Sequence, residues 1–214
     1  MKLVLKYGGT SLSSPSDIRN VAKNVASLAK NNEIVVVCSA IDGVTDDLIR
    51  ISTMIEQRNK NDATKTLDNV IKKHKQFANQ TIKSSTIKKQ LLEKLNIDVL
   101  ELQELVRGLT LLKEVSTRSL DYLISFGERL SDDLVSFSLQ DLKNKSTALN
   151  GKEVGIVTDS NFGESRPLMD TTRIRISKTL GSLLSKKIIP VVGGFAGADQ
   201  HGNITTFGRG GSDY

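Results

Sequence analysis

Two short apolar runs, each followed by a turn and then by a helical pattern, constrain the fold of this chain more than any other feature. Residues 2–7 (Lys-Leu-Val-Leu-Lys-Tyr) read as a short buried strand stopped by Gly8–Gly9. Ser16–Asp17 then opens a helix whose apolar positions Ile18, Val21, Ala22, Val25 and Leu28 recur at helical spacing. Ile34 to Cys38 is a second strand, rich in β-branched residues, and the loop Ser39 to Thr45 leads to a helix from about Asp46 to Ile55. Strand, glycine loop, helix, strand, loop, helix is the opening of a doubly wound α/β sheet.

The middle of the chain differs. From Ala63 to Val115 Gly108 is the lone glycine and proline is absent. Leu67, Val70, Ile71 and Phe77 form one helical stripe; Ile87, Leu91, Leu92 and Leu95 form a second; Leu102, Leu105, Val106 and Leu109 form a third. This predicts a helical insertion packed on the sheet. Ser119 to Leu142 is a further long amphipathic helix, bent near Gly127, so the helical subregion runs over about 63–142. Val154 to Val157 reads as a strand, Thr171 to Leu184 as a helix, and Ile188 to Val192 as another strand, with Pro190 tolerable near its start or at an edge.

Composition narrows the class. With 214 residues, 38% hydrophobic and 25% charged, the chain can bury a core and is not disordered. One cysteine, Cys38, excludes an internal disulfide and a multi-Cys zinc framework, and points to the cytoplasm. No apolar stretch reaches the roughly 20 residues of a membrane helix. Aromatics at 4% are thin material for stacking nucleic acid, and a net charge of +6 is not the footprint of a dedicated nucleic-acid binder. The basic run Lys72 to Lys75, with Lys83, Lys88 and Lys89, reads as a solvated helix face.

Four segments can carry chemistry. Lys6-Tyr7-Gly8-Gly9-Thr10-Ser11 places a cation at a strand end before freed N–H donors and a helix start, which suits an anion, although a lone Lys-x-Gly-Gly is a weak signal. Ser39 to Asp46 follows the second strand and would line the same crevice, unless Ser39 or Thr45 merely caps a helix. Glu128, inside Ser125 to Ser131, reads in isolation as an ordinary surface charge. The last segment is dense in glycine, with seven of the chain's 16 between Gly193 and Gly211, and marks a ligand loop rather than a loose tail. Within it Arg209 suits a bidentate grip on a carboxylate or phosphate, and Asp213 could orient a lysine or a metal ion.

These four segments, in this order and spanning essentially the whole chain, resemble the N-terminal part of the aspartate kinases, of the amino acid kinase superfamily. Gly194-Phe195-Ala196-Gly197 fits too; Tyr7 stands where phenylalanine is usual and Phe207 where leucine is usual, both keeping an apolar role. The resemblance implies an α/β fold with a mainly parallel sheet sandwiched by helices, and transfer of the ATP γ-phosphoryl group to the side-chain carboxylate of L-aspartate. The product is 4-phospho-L-aspartate, on the route to lysine, threonine and methionine. It implies ATP and Mg²⁺ as cofactors and no resident metal site in the protein. Lys6 and Asp213 would be catalytic, with Asp213 fixing Lys6, and Lys6, Gly8, Gly9 and Thr10 would meet the ATP phosphates. Ser39, Thr45, Glu128, Arg209 and Ser212 would bind aspartate. A homodimer in the cytoplasm is expected, with no nucleic-acid or membrane partner. Residues 1–214 would be the aspartate-binding part of the catalytic domain. The nucleotide half and the ACT domains would lie beyond it, so the chain alone is expected to be inactive and to self-associate. The rival readings are a sister kinase of the superfamily and a catalytically silent aspartate-binding or regulatory fragment.

Overall fold

The computed structural model describes residues 1–208. A parallel four-stranded sheet carries the order β1-β2-β4-β3, with β1 Lys2–Tyr7, β2 Glu33–Cys38, β3 Ser146–Leu149 and β4 Ile189–Gly193. Helices α1 (Pro15–Leu28), α2 (Val44–Glu56), α3 (Lys60–Thr81), α4 (Ser85–Leu112) and α5 (Thr117–Asp141) share one core with Ile34, Val36, Cys38 and Val191. The other face packs Val35 and Val192 against Val154 of α6 (Gly151–Val154) and against Ile176, Leu180 and Leu184 of α7 (Met169–Ser185). The chain is therefore α/β, a parallel sheet between helical layers. Alternation of side chains along each strand sends neighbouring residues into opposite layers.

A small antiparallel hairpin, β5 (Ala196–Ala198) with β6 (Ile204–Thr206), follows the sheet. Helix α5 is the centre of the molecule: Leu123, Phe126, Leu130, Leu134, Val135 and Leu139 are fully buried, and it touches both the sheet and the helices around it. Each such side chain contributes about 1.5–3 kcal/mol of burial.

Several expectations are corrected. Strand β1 is not buried but forms an edge of this sheet: Leu3, Leu5 and Tyr7 pack inward, while Val4 is 70% exposed. Helix α1 begins at Pro15, one residue before Ser16, and is capped by Ser14, whose Oγ accepts the Asp17 N–H at 3.2 Å. The second and third apolar stripes lie on a single helix, α4. Residues 154–157 are not a strand. Val154 ends α6, Gly155 takes a left-handed φ of 104°, and Val157 makes only an isolated bridge to Ala198. The fourth strand of the sheet is instead β3. Helix α5 runs unbroken through Gly127, because that glycine serves close approach: a methyl there would lie 3.0 Å from the Ala40 Cβ. In the basic run His74 is fully buried, and Lys73 Nζ donates to the Asp42 carbonyl at 2.6 Å rather than standing idle in solvent.

Candidate functional site

The loops that follow β1, β2 and β4 meet at the carboxyl end of the sheet, where open parallel sheets hold ligands. The Ser39 N–H donates to the Tyr7 carbonyl at 3.0 Å, and the Gly194 N–H to the Cys38 carbonyl at 3.4 Å. The Lys6-Tyr7-Gly8-Gly9 segment turns into a short 3-10 helix over Gly9–Leu12 that no side chain caps. A methyl on Gly9 would lie 3.2 Å from the Ala40 carbonyl oxygen, so the first two loops touch backbone to backbone. The second loop is held from outside by Lys73 on Asp42 and by Ser131 Oγ, which donates to the Ser39 carbonyl at 2.7 Å. Gly43, at a φ of 78°, is the N-cap of α2; neither Ser39 nor Thr45 caps that helix, and both are half-buried.

Glu128 is not a surface charge. It is 7% exposed, and its Oε2 accepts the Phe195 N–H at 2.9 Å, with Gly194 a second backbone donor. Burial pushes its carboxyl up to about 8, against the pull of those two N–H groups and of the Lys6 charge. One helical turn on, Asp132 is 1% exposed and neither of its carboxylate oxygens has a hydrogen-bond partner among the described residues. Burial raises it well above the usual carboxylate range, and Glu128, Asp133 and Glu153 raise it further. Gly193, the last residue of β4, faces both acids: a Cβ there would lie 2.8 Å from Glu128 Oε2 and 3.0 Å from Asp132 Oδ2. Cys38 completes this floor; burial raises its thiol, and the two acids add to the effect.

An ionic network forms the adjoining wall. Arg129 donates to Asp98 at 2.5 Å and to Glu101 at 2.7 Å, and its guanidinium lies 4.3 Å from the centre of the Phe126 ring. Lys94 bonds Asp98 at 2.7 Å and pairs with Asp133 at 3.6 Å, while Tyr122 donates to Glu101. Between this wall, α6 and the β5–β6 hairpin lies a cavity of about 950 Å³, lined among others by Tyr122, Glu128, Asp132, Asn150, Lys152 and Gly193. That volume suits a small-molecule ligand. The hairpin is tied down by Asp121, which accepts from Thr206 Oγ1 at 2.6 Å, the Thr206 N–H at 3.0 Å and the Gly163 N–H at 2.9 Å.

The structure thus brings Lys6, Gly8, Gly9, Thr10, Ser39, Thr45 and Glu128 to one end of the sheet. Arg209, Ser212 and Asp213 lie outside the described residues. Sequence reasoning missed Asp132, Asp121 and Lys73. A signal existed for Asp132, since Asp132–Asp133 interrupts the apolar face of a helix and stands four residues from Glu128.

Fold and site together define a class. The whole chain, residues 1–214, matches the amino acid kinase family, and the chain belongs to that family. Its relatives include an aspartokinase of Helicobacter pylori, 31% identical over 215 residues, covering 100% of this chain and 38% of that protein. Aspartokinase 2 of Arabidopsis thaliana chloroplasts is 30% identical over 98% of this chain and 38% of its own length. Among solved structures, E. coli aspartokinase III in complex with lysine and aspartate superimposes with a TM-score of 0.87 at 25% identity, over 99% of this chain and 44% of that one. The chain therefore spans less than half of the length of these relatives.

Proposed function

We propose that this chain forms the amino-acid side of an aspartate kinase, which transfers the ATP γ-phosphoryl group to the side-chain carboxylate of L-aspartate. The observation that carries the reading is Glu128, a buried carboxyl at the carboxyl end of the sheet, close enough to Lys6 for the lysine's charge to act on it. The likeness to an aspartokinase III structure holding aspartate supports it.

The chemistry asks little of the protein beyond placement. A carboxylate with a pKa of about 4 is already ionised, so no general base is required. What remains is to neutralise charge between carboxylate and triphosphate and to hold them in line. Lys6 stands at the strand end to neutralise the transferring phosphoryl group, with Gly8, Gly9 and Thr10 supplying donors. Glu128 holds the α-ammonium, Arg209 the α-carboxylate, and Ser39, Thr45 and Ser212 contribute hydroxyl contacts. Asp213 orients Lys6. In this reading Mg²⁺ belongs to the nucleotide, and no step is routed through it. Residues 1–214 are taken as the aspartate-binding part of the catalytic domain.

The same reading places the reaction at the head of lysine, threonine and methionine synthesis, in a homodimer, in the cytoplasm. The buried free thiol of Cys38 suits a reducing compartment. No helix among the described residues is long and apolar enough to cross a membrane. The test is ADP release by an enzyme carrying this sequence, with hydroxylamine trapping of the acyl phosphate. L-aspartate should support both signals, and glutamate or N-acetylglutamate neither. Release with N-acetylglutamate alone would assign a sister kinase, because an acylated amine has no charge for Glu128 to hold.

A further inference from the structure

Helix α5 carries four aspartates with very different surroundings. Asp121 accepts three hydrogen bonds, and Asp141 accepts the N–H groups of Lys83 and Ser84 and pairs with Arg19. Asp133 has the Lys94 ammonium at 3.6 Å. Asp132 has none of this: both oxygens are buried without a partner among the described residues, yet the residue lines the cavity beside Glu128. A buried carboxylate with no cation and no donor is strongly unfavourable if ionised, so a helix core does not retain one for stability.

We propose that Asp132 is a second anion of the ammonium subsite, so that the substrate's amine is held between two buried carboxylates instead of resting on one. The proposal rests on the reading of Glu128 as the ammonium anchor and adds a specificity residue to it. The geometry is that of a shared site. Glu128 Oε2 and Asp132 Oδ2 both close on the space beside the Gly193 Cα, which lacks the Cβ that would fill it. The two oxygens are thus no further apart than the sum of their distances to that point. Glu128 Oε2 already accepts the Phe195 N–H, whereas both Asp132 oxygens are open. An ammonium has three N–H donors, and a single carboxylate cannot satisfy them all.

The charged and titratable groups facing the pair are Lys6 from β1, Cys38 from β2, Asp133 on α5 and Glu153 from α6, with Arg129 and Lys152 in the cavity wall. The end of β4 brings only backbone, the N–H groups of Gly194 and Phe195. Two acids this close, with Lys6 the one cation among the described residues acting on Glu128, retain a proton between them when the site is empty. An arriving ammonium takes the place of that proton. The pair goes from one negative charge to two, the ammonium keeps its own proton, and the displaced proton goes to the buffer.

The experiment is titration calorimetry of L-aspartate into the chain at pH 7.5, in phosphate and in Tris, whose different ionisation heats count the protons exchanged. Succinate, which lacks the amine, serves as the control ligand, and Asp132→Asn, Asp132→Ser and Glu128→Gln are compared. The parent chain should bind L-aspartate with net proton release. Asp132→Asn should bind it about tenfold or more weakly, without that release, with succinate unchanged. Both Asp132 variants should melt no lower than the parent, since an unpaired buried acid has been removed. Loss of L-aspartate binding in Glu128→Gln, with affinity and proton release intact in Asp132→Asn, would overturn this proposal alone. Absence of L-aspartate binding by the parent chain would overturn the anchor reading and this proposal with it. Equal weakening of aspartate and succinate, or lowered melting in both Asp132 variants, would make Asp132 a structural residue and also overturn it.

Discussion

Glu128 reaches from the middle of α5 to the end of β4, where its Oε2 accepts the N–H of Phe195 at 2.9 Å. One hydrogen bond thus joins the central helix to the turn that enters the glycine-rich segment. An acid at the centre of the fold is thereby held at the mouth of the sheet.

Because the Glu128 carboxyl is raised to about 8, its folded state binds a proton that the unfolded chain has lost above pH 4.5. Its contribution to stability is full below that pH and is lost as pH rises through about 8. Aspartate binding should follow the opposite course, strengthening from pH 6 to pH 9 as the acid ionises. Thermal melts with and without L-aspartate at pH 6 and pH 9 check both signs, and Glu128→Gln should flatten both.

His74 predicts an acid limb. Its ring is fully buried in α3, Nδ1 donates to the Val70 carbonyl at 2.7 Å, and Nε2 has no partner among the described residues. Burial lowers it from 6.5 to about 4, so the unfolded chain takes up the proton first. The His74 contribution to stability should therefore fall as pH drops from 6.5 to 4, by about 3 kcal/mol. Urea unfolding of the parent chain and of His74→Leu at pH 4.5 and pH 7 measures this: the Glu128 contribution is common to both proteins, so the parent should lose stability relative to the variant on going to pH 4.5.

Lys6→Met should reduce turnover by about a hundredfold or more, by analogy with other single electrostatic donors. Aspartate affinity should be nearly intact when the two proteins are compared with Glu128 ionised in both, which takes a higher pH in the variant because loss of the Lys6 charge raises that carboxyl further. Near-normal turnover with a raised aspartate KM would move Lys6 to the substrate-binding side.

Asp121→Asn removes an acceptor from the clamp on Thr206, two residues before Gly208 and three before Arg209. A loss of about 1–3 kcal/mol of stability is expected, the range for leaving a buried donor unsatisfied. Because the clamp positions the segment leading to Arg209, the aspartate KM should rise more than kcat falls. Steady-state kinetics with urea unfolding separate the two effects.

The sequence patterns that were legible are those governed by local periodicity. β1, β2, β4, α1, α2 and α7 follow from β-branched runs, helical stripes and their stops. β3 was not legible, because Ser146-Thr147-Ala148-Leu149 has little apolar character and is defined by pairing with β4, a contact between distant parts of the chain. The apolar run at Val154 to Val157 misled for the converse reason: Gly155 turns the backbone left-handed in the middle of it. For the site, Lys6 and the two loops could be placed from motif order, but the burial of Glu128 and Asp132 depends on how α5 seats against β4. Gly127 shows the same limit. Its role is set by Ala40, from which it is separated by most of the helical region.

The central claim is that Glu128 anchors the ammonium of L-aspartate at the carboxyl end of the sheet. Calorimetric titration of L-aspartate at pH 8.5 into the chain and into its Glu128→Gln variant tests it most directly. The predicted result is binding by the parent chain and a loss of about tenfold or more in the variant, the scale of one charged hydrogen bond. Equal L-aspartate affinity in the two proteins would contradict it.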